Sequence, residues 1–484
     1  MSGTSMAGPH VAGAMALLRQ ALPRLTALEL KNVAMGRAVS LQTTNKKDYP
    51  VSQQGAGRIQ VDRAAASPLV VDMAAISLGE VGIESGKVLR KKLNVKNISA
   101  ATLNLSLDLV KSSSFLKMTG PSAFSVAAGE SVSLTLNFRI DTSTMTEAER
   151  ELDGIVRILS GTEEVYRLPV LAVVHKTSQI KATDLLVQST SEVDSAGSAA
   201  QVIIKNEGTN PGEALIFNLL GQDERKKDPR NDQYLSKACD LQAVGYRILD
   251  REIAGKLVKV LQVAAKLYEP LTTWDVCELS VLIDADGDGK PDQELAGTTL
   301  GNVKGLAASG MERKFSSILL DANKARQIRK DFELANASWL LKPTNAPPTE
   351  NYSPALLDFQ PMTAYSHSTV AIIEADVSML ARSATGELSI KVATIHDSAS
   401  TVEMDDYLGN GLKEWKKLSV DGQSQAFREI PEIVKVQPGE QQVVELTKGE
   451  GSEKLLILMP QNRTVFSDIL EDGQSNIMAV KWAK

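Results

Sequence analysis

Apolar and polar residues alternate in short runs beyond about residue 68, which is the pattern of half-buried β-strands. The clearest runs cover residues 103–109, 132–140, 155–159 and 168–174. Ala128-Gly129-Glu130 supplies a turn before the second run. The pattern therefore predicts a β-sandwich over about residues 68–176.

The same strand pattern recurs later in the chain. Residues 202–208 resemble residues 93–97, and residues 436–446 resemble 126–130 with the strand that follows them. We predict two further sandwiches, over 177–300 and 350–484, with a partly helical connector and a Pro-rich linker over 301–349 between them. One large interrupted domain is the alternative.

The first 20 residues differ from the rest, because apolar and small residues lie on almost every side of a predicted helix. Such a helix is expected to be buried inside an α/β domain. Pro9 is expected in its first turn, where a missing N–H costs little. Thr26 and Glu29 have capping-box spacing, which predicts that a second helix begins there.

Composition limits the classes of partner. The chain has 484 residues, of which 43% are hydrophobic, so several domains with real cores are expected. A net charge of -6 predicts no nucleic-acid partner. No run approaches the ~18 apolar residues of a transmembrane segment. Cys239 and Cys277 are either one disulfide or two buried thiols.

Residues 2–13 read Ser-Gly-Thr-Ser-Met-Ala-Gly-Pro-His-Val-Ala-Gly. They resemble the serine motif of the subtilisin-like serine proteases (subtilases, peptidase family S8), Gly-Thr-Ser-Met-Ala-x-Pro-His-Val-Ala-Gly. The resemblance implies that Ser5 is the nucleophile of a serine-type endopeptidase, while His10 is a packing residue. A serine at a helix N-terminus also lies beside unpaired N–H donors that stabilise an oxyanion.

The resemblance extends to about residue 67, since 55–66 look like the stretch that closes subtilisin catalytic domains. In that family the catalytic Asp, the catalytic His and the oxyanion Asn precede the serine. His175, His367 and His396 lack the family's His-Gly-Thr context. We therefore expect this chain alone to be inactive and to expose its N-terminal helix, as part of a longer protease or one half of a split enzyme.

The predicted fold class is mostly β: the C-terminal part of an α/β subtilisin domain over 1–67, followed by two or three β-sandwich domains. Residues 153–156 and 168–170 resemble strands of the fibronectin type III-like domain of large subtilases. The resemblance implies a protein or peptide substrate and a secreted, periplasmic or cell-surface full-length protein. It also implies contact with a cell surface or a polymer through the sandwiches.

This chain shows no signal peptide. The alternative function is that of a non-enzymatic extracellular β-sandwich protein for binding or adhesion, with a vestigial protease segment.

An acidic loop follows the predicted strand at 279–283. Its spacing matches a calcium loop, with Gly289 at position 6. The predicted ligands for Ca2+ are four carboxylates and one carbonyl oxygen, those of Asp284, Asp286, Asp288, Asp292 and Lys290 respectively. Leu295 stands where an EF-hand has its bidentate Glu, and a strand rather than a helix precedes the loop. A solvated acidic turn is the alternative.

Overall fold

The computed structural model describes residues 3–111, 113–147, 149–188, 199–225, 239–253, 255–271, 273–306, 310–343, 346–365, 368–396, 406–409, 415–420, 427–428, 430–448, 454–462 and 475–479. The chain divides into two compact units, Met1–Thr177 and Ser178–Lys484. Strands predominate in both, which confirms the mostly-β fold class. Among the described residues, no helix has the length and apolar character needed to cross a membrane.

Short helices open the first unit: α1 (Thr4–Ala21), α2 (Ala27–Gly36), α3 (Val51–Gln54) and α4 (Val61–Ala65). The predicted capping box is confirmed at the start of α2. The Thr26 hydroxyl accepts a hydrogen bond from the Glu29 N–H, and the Glu29 carboxylate accepts one from the Thr26 N–H. Both bonds satisfy donors that a helix N-terminus would otherwise leave unpaired.

The first unit continues as two facing sheets. Its strands are β1 (Leu69–Val71), β2 (Ile76–Ile83), β3 (Gly86–Asn97), β4 (Leu103–Lys111), β5 (Leu116–Thr119), β6 (Ala123–Val126), β7 (Ser131–Asp141), β8 (Glu149–Ser160) and β9 (Glu163–Lys176). One sheet has the order β1-β3-β7-β5, and the other has the order β2-β9-β8-β4-β6.

The alternating runs of the sequence form this sandwich. Residues 103–109 lie in β4, 132–140 in β7, 155–159 in β8 and 168–174 in β9. Along β7, Leu134, Leu136, Phe138 and Ile140 are buried, while the residues between them are exposed or half-buried. Inward side chains of both sheets share one core. The fibronectin type III resemblance stays a prediction.

The second unit contains the remaining strands: β10 (Ile180–Gln188), β11 (Ala199–Asn206), β12 (Gly212–Gln222), β13 (Leu241–Ile253), β14 (Lys256–Leu271), β15 (Cys277–Asp284), β16 (Gln293–Thr299), β17 (Phe315–Asp321), β18 (Leu356–Pro361), β19 (Thr363–Ala364), β20 (Ser368–Asp376), β21 (Glu387–His396), β22 (Asp406–Tyr407), β23 (Lys416–Ser419), β24 (Phe427–Arg428), β25 (Val434–Val436), β26 (Gln441–Lys448), β27 (Lys454–Leu458) and β28 (Ser475–Ala479). The connector predicted over 301–349 contains β17 and α5 (Ala322–Leu341).

Strand pairing in the second unit differs from the expected division into 177–300 and 350–484. Strand β11 pairs with β26, β14 pairs with β20, and β15 pairs with β21. Strands of the two stretches therefore share sheets, and the pairing favours the alternative of one interrupted domain. The reason is physical: a period of two indicates which side chains face inward but carries no information about the partner strand.

Strand β12 connects two parts of this unit. Its residues 218–222 pair with β13, its residues 215–218 pair with β27, and its residues 212–214 pair with β25. A smaller core involves β10, β11, β12, β25, β26 and β27, whereas a larger core lies between the long strands β13–β15 and their neighbours. The larger part is inserted in sequence between the strands that form the smaller part.

The repeated sequence pattern corresponds to repeated hydrogen bonds. The Asn97 side chain donates to the Val126 carbonyl at 2.9 Å. The Asn206 side chain donates to the Val436 carbonyl at 3.0 Å. The pair β11–β26 thus has the same local construction as β3–β7, across a much longer sequence separation.

A disulfide joins Cys239 and Cys277, with 5.8 Å between their Cα atoms. Both residues are buried in the larger core of the second unit. Of the two alternatives left open by the sequence, the structure has the disulfide. It ties the segment before β13 to the first residue of β15.

Candidate functional site

Ser5 lies in the first turn of α1 and is exposed. The helix begins after Gly3, whose φ of 137° is a conformation that glycine adopts far more readily than other residues. The N–H groups of Met6 and Ala7 donate to the Gly3 carbonyl at 3.0 and 3.1 Å. The N–H of Ser5 belongs to the first turn, where helical N–H groups have no acceptor within the helix.

Pro9 is not in the first turn, contrary to the expectation from the sequence. Because α1 begins at Thr4, Pro9 is its sixth residue. Residue 9 would normally donate its N–H to the carbonyl of residue 5, and proline cannot. The carbonyl of Ser5 therefore loses its usual helical partner, in addition to the N–H groups that the helix start leaves unpaired.

His10 contacts the backbone of its own helix. Its Nδ1 lies 2.7 Å from the carbonyl oxygen of Met6, one turn earlier. This contact gives the exposed ring a partner within its own helix, and the packing role implied by the resemblance stays a prediction. The Nδ1 of His175 lies 3.6 Å from a carboxylate oxygen of Glu80 in the first sandwich. His367 and the side chain of His396 lie outside the described part of the structure.

The N-terminal half of α1 is exposed, which agrees with the expectation that this chain alone exposes its N-terminal helix, although a helix of this composition is normally buried. Met6 and Val11 are 42 and 48% exposed, and the buried residues of α1, Ala14 and Leu18, lie in its C-terminal half. No described element of the first unit covers residues 3–13. An apolar helix surface of this kind is normally covered by another element.

The C-terminal half of α1 is anchored to the rest of the unit. Leu18 packs in a small core with Leu30 and Val33 of α2, Ala64 of α4 and Val70 of β1. The position of the serine segment therefore depends on α2, which in turn rests on the first sandwich.

Tyr166 of β9 forms the central contact between α2 and the sandwich. Its hydroxyl donates to the Asn32 carbonyl at 2.7 Å, and burial raises its pKa. A Cβ added at Gly36 would lie 2.1 Å from the Tyr166 ring, so only glycine allows this approach. The Asn32 side chain donates to the Val71 carbonyl at 2.9 Å.

Polar contacts extend this attachment along residues 37–52. Arg37 donates to the Glu164 carbonyl at 3.1 Å, and burial lowers the pKa of its guanidinium. The Val51 N–H donates to the Asp153 carboxylate at 2.7 Å. The serine segment and the first sandwich are therefore packed as one unit, with only the start of α1 left uncovered.

The acidic loop between β15 and β16 brings three of its carboxylates together. Oxygens of Asp284, Asp286 and Asp292 all lie within 4.8 Å of one another. Asp284 is buried, and its two oxygens accept the N–H groups of Gly287 and Gly289 at 2.7 and 3.0 Å. The loop is thus folded around the carboxylate of its first residue.

The other two predicted ligands are arranged differently. Asp288 accepts the Lys290 N–H at 2.7 Å, and its second oxygen lies 3.5 Å from the Lys290 ammonium group. A residue that the sequence did not indicate lies beside the cluster: the amide of Asn323, on α5, is 3.5 Å from an oxygen of Asp292. No local sequence signal could have found it, because α5 reaches the loop only through the fold.

Comparison with known proteins places the first residues in a family. Residues 1–57 match the model of the subtilase family, peptidase S8. The minor extracellular protease Vpr of Bacillus subtilis (strain 168) is 27% identical over 186 residues, which are 38% of this chain and 23% of that protein. The match therefore spans less than a quarter of the relative's length.

Two solved proteases are also similar. Tripeptidyl peptidase 2 is 13% identical, with a TM-score of 0.26 over 100% of this chain and 47% of that one. The secreted serine protease VesC from Vibrio cholerae is 13% identical, with a TM-score of 0.16 over 39% and 41%. Scores this low support no argument. The serine motif, the matched family segment and the curated relative instead support a subtilase-like protein.

Proposed function

We propose that this chain carries the nucleophile of a subtilisin-like serine endopeptidase, and that the nucleophile is Ser5. The observation that supports this most directly is the serine motif at the start of an α-helix, with Ser5 exposed in the first turn. Its Oγ would attack the scissile carbonyl, while its own N–H and the positive end of the helix dipole would stabilise the oxyanion.

The general base and the acid that orients it would come from residues outside these 484. Within the described residues, His10 is bonded to its own helix, and His175 lies in the sandwich beside Glu80. Removing the base from such a triad lowers kcat by about 10⁶, or about 8 kcal/mol. The chain by itself should therefore not hydrolyse peptide bonds at a measurable rate.

An organophosphonate probe tests both parts of this proposal. The isolated chain should remain unlabelled, whereas a longer protein that includes the missing triad residues should be labelled at Ser5. The Ser5→Ala change should abolish that labelling, and Ser143→Ala, a serine of the first sandwich, should leave it intact. Ser5-dependent labelling of the isolated chain would contradict its inactivity; an active longer protein unaffected by Ser5→Ala would exclude Ser5 as the nucleophile.

The proposed substrate is protein or peptide, and the proposed location of the full-length protein is outside the cytoplasm. The B. subtilis relative is named an extracellular protease, which supports the location. Western blotting of cell and medium fractions with an antibody against residues 350–484 tests this. Recovery of the protein only from the cytoplasm would contradict it.

We further propose that the acidic loop binds Ca2+ and that the ion stabilises the loop. Asp284, Asp286 and Asp292 offer converging carboxylate oxygens, the ligand type that Ca2+ prefers. A bound cation would also offset the mutual repulsion of these carboxylates. Asp288 and Lys290 match the loop spacing, but the Asp288 carboxylate contacts Lys290, and the Asp288 N–H donates to the Asp286 carboxylate at 3.0 Å.

Isothermal titration of the chain with Ca2+ tests this second proposal. Asp286→Asn should weaken binding by at least roughly tenfold, because it removes one converging carboxylate. Asp288→Asn, the matched control, should change the affinity much less. If titration with Ca2+ releases or absorbs no heat and EDTA leaves the Tm unchanged, the site is excluded.

A further inference from the structure

The outer face of the β1-β3-β7-β5 sheet is strongly cationic. Side chains alternate between the two faces of a strand, so the exposed positions of β3, β5 and β7 all point away from the sandwich core. The cations at these positions are Arg90, Lys92, Lys96, Lys117 and Arg139, and all are exposed. The whole chain has a net charge of -6, whereas the first unit, which carries this face, has 20 Lys and Arg against 15 Asp and Glu.

The strand register brings these cations close together. Lys117 of β5 lies directly opposite Arg139 of β7. Arg90 and Lys92 follow one another on the outer face of β3, opposite Asn137 and Thr135. Alternate residues on a strand are about 7 Å apart, and neighbouring strands are about 4.8 Å apart. The cations therefore form a regular array on one surface.

Acidic groups lie at the margins of this array and also beside Asn94, whose N–H and side-chain amide donate to the Asp72 carboxylate at 2.9 and 2.7 Å. Asp141, at the end of β7, is 3.9 Å from Arg139, and Glu29 of α2 is 3.8 Å from Lys96. Within the described residues, no carboxylate lies within 4.0 Å of the charged groups of Lys92 or Lys117. Like charges placed directly opposite each other destabilise a sheet, so Lys117 and Arg139 have a cost that a bound anion would remove.

The neutral side chains of this face favour hydrogen bonding. Ser133, Thr135 and Thr119 lie among the cations, together with Asn137, which accepts a hydrogen bond from Arg90, and Asn94, which is bonded to Asp72. Val88 is the apolar exception on this face. The outward positions of β3, β5 and β7 hold no aromatic residue, which single-stranded nucleic acid normally requires for stacking. An acidic peptide that adds a strand to a sheet pairs with a strand edge, and the edge strands of this sheet are β1 and β5. Four of the five cations lie on β3 and β7, so a ligand that contacts the array lies across the face of the sheet rather than along its edge.

We propose that this face, the outer surface of β3, β5 and β7, binds an extended anionic polysaccharide. Carboxylate or sulfate groups that recur along a chain would pair with the cation array. The hydroxyl groups between them would bond to the serine, threonine and asparagine side chains. The surface would hold the protein on an anionic glycan, independently of the serine segment and of the acidic loop.

Surface-immobilised heparin, which is sulfated, and polygalacturonate, which is carboxylated, serve as probes of the full chain. Binding to at least one of them is expected, and it should weaken by at least roughly tenfold between 50 and 200 mM salt. The double variant Arg90→Gln/Lys92→Gln should lower the affinity by roughly tenfold or more. The variant Arg90→Glu/Lys92→Glu should lower it further.

The matched control is Lys256→Gln/Lys259→Gln, which removes two exposed cations from the second unit. It should bind like the unchanged chain, and equal Tm values would show that all variants are folded. Absence of binding to both glycans at 50 mM salt would overturn the proposal. So would equal losses in the Arg90/Lys92 variant and the control, or binding to poly-glutamate but to neither glycan.

Discussion

The two asparagines Asn97 and Asn206 occupy equivalent positions in two sandwiches. The Asn97 N–H donates to the Glu130 carbonyl at 2.9 Å, and the Asn206 N–H donates to the Glu440 carbonyl at 3.0 Å. Each side chain also bonds a carbonyl at the end of a strand, that of Val126 or Val436. The local construction is the same in both regions.

The separation in sequence differs greatly between the two. In the first sandwich the side-chain bond of Asn97 spans 29 residues, whereas that of Asn206 spans 230 residues. The larger part of the second unit lies within that interval. A local motif can therefore build the same strand junction whether its partner is near or far, although closing the longer loop costs more entropy.

The largest expected effect tests the hydrogen bonds that join the larger, inserted part of the second unit to its smaller part. Arg247 of β13 is 1% exposed and donates to the carbonyls of Ile216, Pro431 and Glu432. Burial lowers its pKa to about 10, so it remains charged at pH 7. Arg247→Met should destabilise the second unit by about 3–5 kcal/mol, because it leaves these buried carbonyls unpaired.

Chemical denaturation followed by intrinsic fluorescence measures this loss. Lys259→Met, which removes an exposed cation of the neighbouring strand β14, should change stability by less than about 1 kcal/mol. Similarly small losses of stability from both changes would show that the contacts of Arg247 with residues 431–432 do not stabilise the second unit.

The equivalence of the two asparagines can be tested directly. Asn97→Ala and Asn206→Ala should each cost about 2–3 kcal/mol, since each leaves a buried carbonyl and a buried N–H without a partner. Calorimetry should assign the first loss to the transition of the first unit and the second loss to that of the second unit. A loss at one position only would contradict the equivalence.

A smaller effect is expected at the contact between the first sandwich and α2, the helix against which the serine segment packs. In the part of the chain that the structure describes, the second unit has no such segment attached to it. Tyr166→Phe removes the hydroxyl that bonds the Asn32 carbonyl but keeps the ring against Gly36. We expect a loss of about 1 kcal/mol, confined to the calorimetric transition of the first unit. Tyr246→Phe, at a buried tyrosine of the second unit, is the control and should leave that transition unchanged.

The smallest expected effect depends on pH. The backbone N–H of Thr26 bonds the Glu29 carboxylate and holds its pKa below the usual value. A lowered folded-state pKa contributes stability above the unfolded value of about 4.3, and this contribution disappears as pH falls through the folded value. Because Glu29 is half-buried at the protein surface, where solvent still screens its charge, Glu29→Gln should cost only a few tenths of a kcal/mol at pH 7.

Thermal melts at pH 7 and pH 3 measure this difference. The difference between the variant and the unchanged chain should be smaller at pH 3 than at pH 7, because the native carboxylate takes up a proton as pH falls through its lowered pKa. Glu333→Gln, on the exposed face of α5, is the matched control and should show no such pH dependence. A difference between Glu29→Gln and the unchanged chain that is as large at pH 3 as at pH 7 would contradict the proposed role of the charge.

Local features could be predicted well from sequence in this protein. The capping box at Thr26 and Glu29, and the alternating strands around Leu134 and Phe138, depend on neighbouring residues and on faces of single elements. Pro9 shows the limit even at short range, because its effect depends on where the helix begins. That start lies at Thr4, one residue after a glycine with positive φ.

In the candidate sites, too, some features can be predicted from sequence and others appear only in the structure. The serine motif and the spacing of the acidic loop are readable in the chain, and Ser5 lies at the helix start as expected. The convergence of Asp284, Asp286 and Asp292, with Asp288 turned toward Lys290, is not readable from spacing. Each carboxylate direction depends on the backbone conformation of the loop and on α5 packed beside it.

The sequence by itself determined the strand-forming faces, the repeated asparagine junction and the subtilase-like segment, because each depends on residues close together along the chain. Only the tertiary structure decided that β11 pairs with β26, that α2 rests on Tyr166, and that five cations share one sheet face. Alternation indicates which side chains face the core, but the burial of those side chains against a distant strand selects the partner.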